Sequence, residues 1–262
     1  MPRDKKISGT LVFSAITFLL LIIFVFPIPS VLLDFFIAIN LVFSALCILD
    51  VHITKTNKGF SSFPKTLLIF IIFNFAINVI VTRYLLIFGE EFESMIIRFT
   101  ASPIAGNIIA ILAACALFTA CVIFYFTVIA KMINIVSQIA IEFSTDSMQV
   151  KMTAIDSECA AGVITANEAE EKKDCAKQKT DFFSELSKVC RYLWWYERSR
   201  FIFIIINSAV GYFIGRNVRG EMKGDAFNTY ITIAVSSGFL SLLSAALIAV
   251  SLGIVLKRFE HA

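Results

Sequence analysis

The chain has 262 residues, 58% of them hydrophobic and 16% charged, with a mean hydropathy of +0.83 and a formal net charge of +3. Soluble domains carry about 25% charged residues, so the composition weighs against a water-soluble globule and for a polytopic membrane protein. The small net charge says little alone, and no nucleic-acid partner is expected.

Six apolar stretches approach the roughly 20 residues that a helix needs to cross a bilayer. They run, with soft ends, over 8–26, 30–49, 66–88, 107–130, 200–216 and 229–256. None alternates with period two, which disfavours a β-barrel. Backbone groups in lipid must pair internally, so an all-α bundle follows. The first stretch, behind Arg3, Lys5 and Lys6, resembles a signal peptide in charge only. Its apolar run is too long, and it ends in Phe26-Pro27-Ile28-Pro29 without a small-residue cleavage site, so an uncleaved span is expected.

Lysine and arginine set the expected orientation. Lys55, Lys58 and Lys65, the N-terminal cluster, the segment 131–199 and Lys257-Arg258 would share the cytoplasmic side with both termini. Arg98 with Glu90, Glu91 and Glu93 would lie opposite, as would Arg216, Arg219 and Lys223. The expected organisation is four spans in 1–130, a helical cytoplasmic insertion at 131–199, and two spans with a short tail in 200–262. Within the insertion, Thr165-Ala-Asn-Glu168 has the form of a capping box ahead of a helix with one polar face. The run Tyr192-Leu-Trp194-Trp195-Tyr196 reads as an interfacial aromatic anchor.

Catalytic constellations are not apparent. His52 and His261 lie far apart, and the six cysteines never fall at CxxC spacing, so neither a zinc site nor a dithiol centre is signalled. No phosphate-binding glycine loop occurs. Neither enzyme activity nor a cofactor or metal is therefore expected. Polar residues inside the spans are the remaining candidates, since an intramembrane polar group is a pathway candidate by default. Asn74 and Asn78 share a face of span three, with Arg83 near its end, and Asn40, Asn107 and Asn207 belong to spans two, four and five. For the asparagines, interhelical hydrogen bonding is the favoured reading. Arg83 can snorkel outward. Asp34, five residues past Pro29, is read as either a site or an outer-rim group.

The chain resembles the N-terminal membrane part of the type III secretion export-gate (FHIPEP) family, which includes FlhA, InvA and LcrD. The stretches FPIPSVLLDFFIAIN, FSSFPKTLLI, AINVIVTRYLLI, EFSTDSM followed by AIDSECAAGVI, and NTYITIAVSSGF carry the resemblance in order and spacing over most of the chain. It implies a homo-oligomeric ring in the bacterial inner membrane, working with other export-gate subunits on secreted protein substrates and coupled to the proton-motive force. It places Asp156 at the family's proton-coupling acid, and Lys131, Asp146 and Lys151 at family positions of the insertion. Asp34, Asn40, Asn78 and Arg83 are the corresponding polar positions in the membrane. A proton-accepting carboxylate needs its charged form destabilised, by burial or by a neighbouring acid such as Glu158. Lys151 would act in the opposite sense.

Departures from the family pattern are concentrated in its charges. Gln149-Val150-Lys151-Met152 stands for a Pro-Gly-Lys-Gln run, Asn134-Ile135 for Glu-Arg, and Glu142 for Arg. Ser236-Ser237-Gly238 replaces Gly-Asp-Gly, and Trp194-Trp195-Tyr196 replaces Arg-Gly-Asp, with Glu197 one place on. The family's last two spans and its large cytoplasmic domain have no counterpart in these 262 residues. Three readings stand: an export-gate membrane component, a degenerate or non-transporting paralogue that only oligomerises or scaffolds, and an independent secondary transporter built around Asp34 and Asn78.

Overall fold

The computed structural model describes residues 28–53, 62–142 and 145–260. The expected first span, Lys55, Lys58 and His261 lie outside them, as do the side chains of Asp146 and its neighbours. Among the described residues there is no strand. The protein is an all-α polytopic membrane protein.

Helix α1 (Ser30–Ile53) starts directly after Pro29, whose carbonyl accepts from the Leu32 and Leu33 amides. Helix α2 (Phe63–Phe88) holds Pro64 in its first turn, where the missing N–H costs no intrahelical bond. After a 3₁₀ turn (Gly89–Glu91) come the short α3 (Met95–Ala101) and the long α4 (Ile108–Glu142). Asn107 accepts from the Ile109 amide at 2.9 Å and so caps α4 instead of bridging helices. Helix α4 continues twelve residues beyond the expected end of span four, because no glycine or proline occurs between Ile108 and Glu142. Then follow α5 (Thr145–Ala160), α6 (Ala166–Ile205), a π-helical turn (Ile206–Val210), α7 (Gly211–Asn217) and α8 (Lys223–Glu260). Four of these are long and apolar enough to span a membrane: α1, α2 with its 3₁₀ turn, α4 and α8. The expected fifth span, 200–216, is built from the end of α6, the π turn and α7.

The described residues form two compact units. The first comprises those up to Phe43, with Ile72–Cys121 and Ser199–Ser244. Its core gathers Leu33, Ile37, Ile80, Leu85, Phe92 and Tyr230. Tyr230 is fully buried against α7, where a Cβ on Gly211 or on Gly215 would lie 2.4 Å from its ring carbons. The phenol meets the Arg219 guanidinium, which also donates to the Leu86 and Ile87 carbonyls at 2.5 Å each. Those carbonyls belong to the last turn of α2, which has no further helical amides to accept from. Arg219 thus ties the end of α2 to α8.

The second unit holds Ser44–Ile71, Val122–Arg198 and the chain from Ala245 on, again counting described residues only. Here α6 buries Phe182, Phe183, Leu186, Val189, Leu193 and Tyr196, a stripe at three-to-four-residue spacing. The capping box at its start is formed: the Thr165 amide donates to the Glu168 carboxylate at 2.8 Å, and the Glu168 amide to Thr165 Oγ1 at 3.3 Å. The bonds from Thr165 hold the Glu168 carboxyl below its ordinary range. Gly162, with a φ of 74°, ends α5 in the left-handed conformation that closes many helices.

Gly211→Ala would force the Tyr230 ring to move and should destabilise the purified chain by about 1–3 kcal/mol, as overpacking does. Gly224→Ala, where nothing lies within 4 Å of the new Cβ, should stay within about 0.5 kcal/mol of the parent. Unfolding midpoints in detergent measure both.

Candidate functional site: a polar seam and a capped loop

In the first unit, two polar residues of α2 meet two of α8. The Asn74 amide donates to Ser244 Oγ at 2.9 Å, and its Oδ1 accepts from Ser241 Oγ at 3.2 Å. Asn78 donates to the Asn74 carbonyl at 2.8 Å and to Ser241 Oγ at 3.3 Å. Asn74 and Ser244 are fully buried. The i, i+4 spacing of the asparagines and the i, i+3 spacing of the serines put both pairs on facing stripes. Sequence reasoning found Asn74 and Asn78 but passed over Ser241 and Ser244, whose matching period was the available signal.

Beside this seam lies a cavity of about 20 Å³, whose polar lining is Asn40, Asn74, Asn78, Ser237 and Ser241. One water needs about 10–15 Å³ and two to four polar partners, so the cavity suits a single water. All five groups are neutral. Ser237 occupies the place where the resembled pattern has an aspartate, so this node can relay hydrogen bonds but carries no formal charge. Asn40 is buried in its wall, and Arg83 sits half-buried five residues beyond Asn78 on α2. Asn207 is buried in the π turn, with its Oδ1 lacking a hydrogen-bond partner among the described residues.

Asp34 does not line the cavity. Its carboxylate accepts from Ser94 Oγ at 2.5 Å, from the Met95 amide at 2.8 Å and from the Ile96 amide at 3.3 Å. Ser94 Oγ in turn accepts from the Ile97 amide at 3.3 Å. Asp34 and Ser94 together satisfy three amides at the start of α3, a role that negative charge suits at a helix N-terminus. The structure therefore brings Asp34 to the loop after α2 and Asn78 to the seam, as two separate sets of contacts.

The insertion positions are arranged differently. Asp156 lies on α5 with 62% of its side chain exposed and forms an ion pair with Lys173 of α6. Glu158 pairs with Lys172 at 2.9 Å in the same way. Such solvated pairs contribute about 0–1 kcal/mol each. Their value here is geometric, because they fix α5 against the first turns of α6. Lys131 is exposed on α4 and Lys151 is exposed on α5. Among the described residues no group of three or more His, Cys, Asp or Glu could hold a metal ion.

Among its described residues, the second unit also buries an acid. Glu197 of α6 is 2% exposed and accepts from Tyr125 Oη of α4 at 3.2 Å. The same hydroxyl lies 3.4 Å from the Ala245 carbonyl of α8. The sequence placed Glu197 beside a lost family acid, but its contact with Tyr125, 72 positions away, had no local signal.

The FHIPEP family model matches residues 20–262. The chain is 30% identical over 237 residues to the flagellar biosynthesis protein FlhA of Borreliella burgdorferi, covering 90% of this chain and 34% of that protein. It is 28% identical over 254 residues to the low calcium response locus protein D of Yersinia pestis, covering 97% and 35%. It is 27% identical over 256 residues to the invasion protein InvA of Salmonella typhimurium, covering 98% and 37%. The chain thus spans about a third of the length of these curated relatives. No solved structure matches it.

Asn74→Ala should cost about 1–2 kcal/mol, the sum of two to three membrane hydrogen bonds averaging about 0.6 kcal/mol each. Ser244→Ala should cost less than half of that, and both are read from unfolding midpoints in detergent. Asp34→Ala should lower stability by about 1–2 kcal/mol. Hydrogen exchange should locate that loss at the Met95 and Ile96 amides, while the seam keeps its protection.

Proposed function

Because the chain belongs to the FHIPEP family, we propose that it works as the membrane part of a type III protein-export gate, flagellar or virulence-associated, in the bacterial inner membrane. The observation that carries this reading is the family match over residues 20–262, which takes in the four apolar helices and the insertion together. In this reading both termini and the segment 131–199 face the cytoplasm. The chain assembles as a homo-oligomeric ring with other gate subunits, and secreted proteins pass under the drive of the proton-motive force.

Asp156 is the residue assigned to proton coupling, with Lys173 as its partner. Protonation of the carboxylate would remove one of the two ion pairs that join α5 to α6. Helix α6 runs unbroken through 40 residues, about 60 Å at 1.5 Å per residue, from the capping box beyond the aromatic anchor. Asp146 and Lys151 would belong to the same device, and Lys131 to its junction with α4.

The neutral lining of the cavity favours a second reading, a scaffold that oligomerises without conducting. A polar node without a charged member lacks the acid that a proton relay through the seam would use.

Complementation of a secretion strain lacking its gate protein separates the two. The export reading expects restored secretion by this chain, alone or fused to a docking domain, and at least a tenfold loss with Asp156→Asn at equal membrane abundance. Normal membrane insertion and oligomer formation without secretion supports the scaffold. Full secretion by Asp156→Asn removes that residue from the mechanism.

A further inference from the structure

The aromatic anchor on α6 carries a set of cations that its packing does not use. With Trp195 as reference and 100° per residue, Lys188, Arg191, Trp195, Arg198 and Ile202 fall within about an 80° arc of the helix surface. All five are exposed, Trp195 by 64%. The Arg198 guanidinium lies 4.8 Å from the Trp194 ring centre and 5.8 Å from that of Trp195, a cation–π arrangement that holds the charge beside the rings. Of the acids from residue 185 to the end of α6, Glu185 stands about 60° outside this arc and Glu197 is buried on the opposite face.

A fourth cation, on α4, stays outside this set. Tyr125 meets Glu197, and Phe126 packs on Trp194 with ring centres 4.7 Å apart, so α4 and α6 run antiparallel here. At that register Lys131 is level with Arg191, but at 100° per residue it projects from the side of α4 turned away from Tyr125 and Phe126, and so away from α6. Toward its C-terminal end the α6 stripe becomes apolar, with Ile202 and Ile205 both exposed. The pattern of basic residues, then tryptophan with arginine, then aliphatic side chains follows a membrane from headgroups into hydrocarbon.

We propose that Arg191 and Arg198, with the Trp195 ring, form a binding site for the phosphate of an anionic phospholipid, with Lys188 as its outer member. Guanidinium groups suit the phosphodiester because they offer paired donors, the ring covers the glycerol region, and the stripe at Ile202 lies along the acyl chains. The proposal is independent of the export reading, because it requires only that α6 enter the membrane here.

Trp194 and Trp195 are the two tryptophans of the chain, so intrinsic fluorescence reports on this site alone. The full chain is reconstituted in phosphatidylcholine vesicles containing brominated phosphatidylglycerol or, at equal mole fraction, brominated phosphatidylcholine. The expected result is a relative binding constant at least about fivefold in favour of phosphatidylglycerol, the weight of one basic residue at a membrane surface. Arg191→Gln combined with Arg198→Gln should bring the ratio close to one. Arg191→Gln alone leaves the ring stack untouched and should lower the ratio measurably, which keeps the test decisive if the double variant misfolds. A ratio of one in the parent chain overturns the site, and so does an unchanged ratio in Arg191→Gln. Relief of the quenching by millimolar glycerol 3-phosphate overturns the lipid assignment, since it marks a site for soluble phosphate.

Discussion

An amide side chain buried between apolar helices must find its partners within the protein, and Asn74 finds them on α8 through Ser241 and Ser244. In lipid the hydrophobic effect does not press helices together, because acyl chains are as apolar as leucine. Close packing and interhelical hydrogen bonds take over that role. The seam supplies direction as well as attraction. A slip of one residue between α2 and α8 would carry both asparagines off the serines and leave buried polar atoms unpaired, at about 1–3 kcal/mol each. Tyr230 reinforces the same pair of helices at their other contact, where Arg219 joins its phenol to the final carbonyls of α2.

That arrangement explains which parts of the molecule could be read in the sequence. Helices α1, α2 and α8 follow from apolar runs, since composition alone decides whether a segment tolerates lipid. The capping box at Thr165–Glu168 was legible because both of its partners lie within four residues. The long α4 was only half legible. The apolar run ends near residue 130, yet nothing there breaks a helix, and hydropathy does not mark where a helix stops. The role of Asp34 was hidden, because its partners begin 60 residues away at Ser94. The glycines at 211 and 215 were silent for the same reason, since their requirement is set by Tyr230 on another helix.

The candidate site shows the same division. Asn78 was visible as a polar residue in a span, but one sequence cannot tell a pathway from a hydrogen-bonded seam, and the difference lies in the serines opposite. Asp156 was visible through its resemblance to a family position. Its partner was not: the ion pair depends on how α5 folds back on α6 through the turn at Gly162, which sets Lys173 against it.

The distribution of charge joins these observations. Where the family pattern has an aspartate in the sixth span, this chain has Ser237 lining a neutral cavity. Where it has Arg-Gly-Asp before the fifth span, this chain has two tryptophans, with Glu197 buried one place on. An ionised group in lipid is tolerated when it pairs, reaches the surface or faces water. Asp34 reaches three amides' worth of capping through its own bonds and those of Ser94, Asp156 is solvated beside Lys173, and Arg198 lies over aromatic rings at the anchor. Glu197 is buried. It is held in the interior by Tyr125, whose hydroxyl also lies near the Ala245 carbonyl, so α4, α6 and α8 converge on one acid. The seam thus carries no charge, and the buried charge of the second unit lies where α4, α6 and α8 meet.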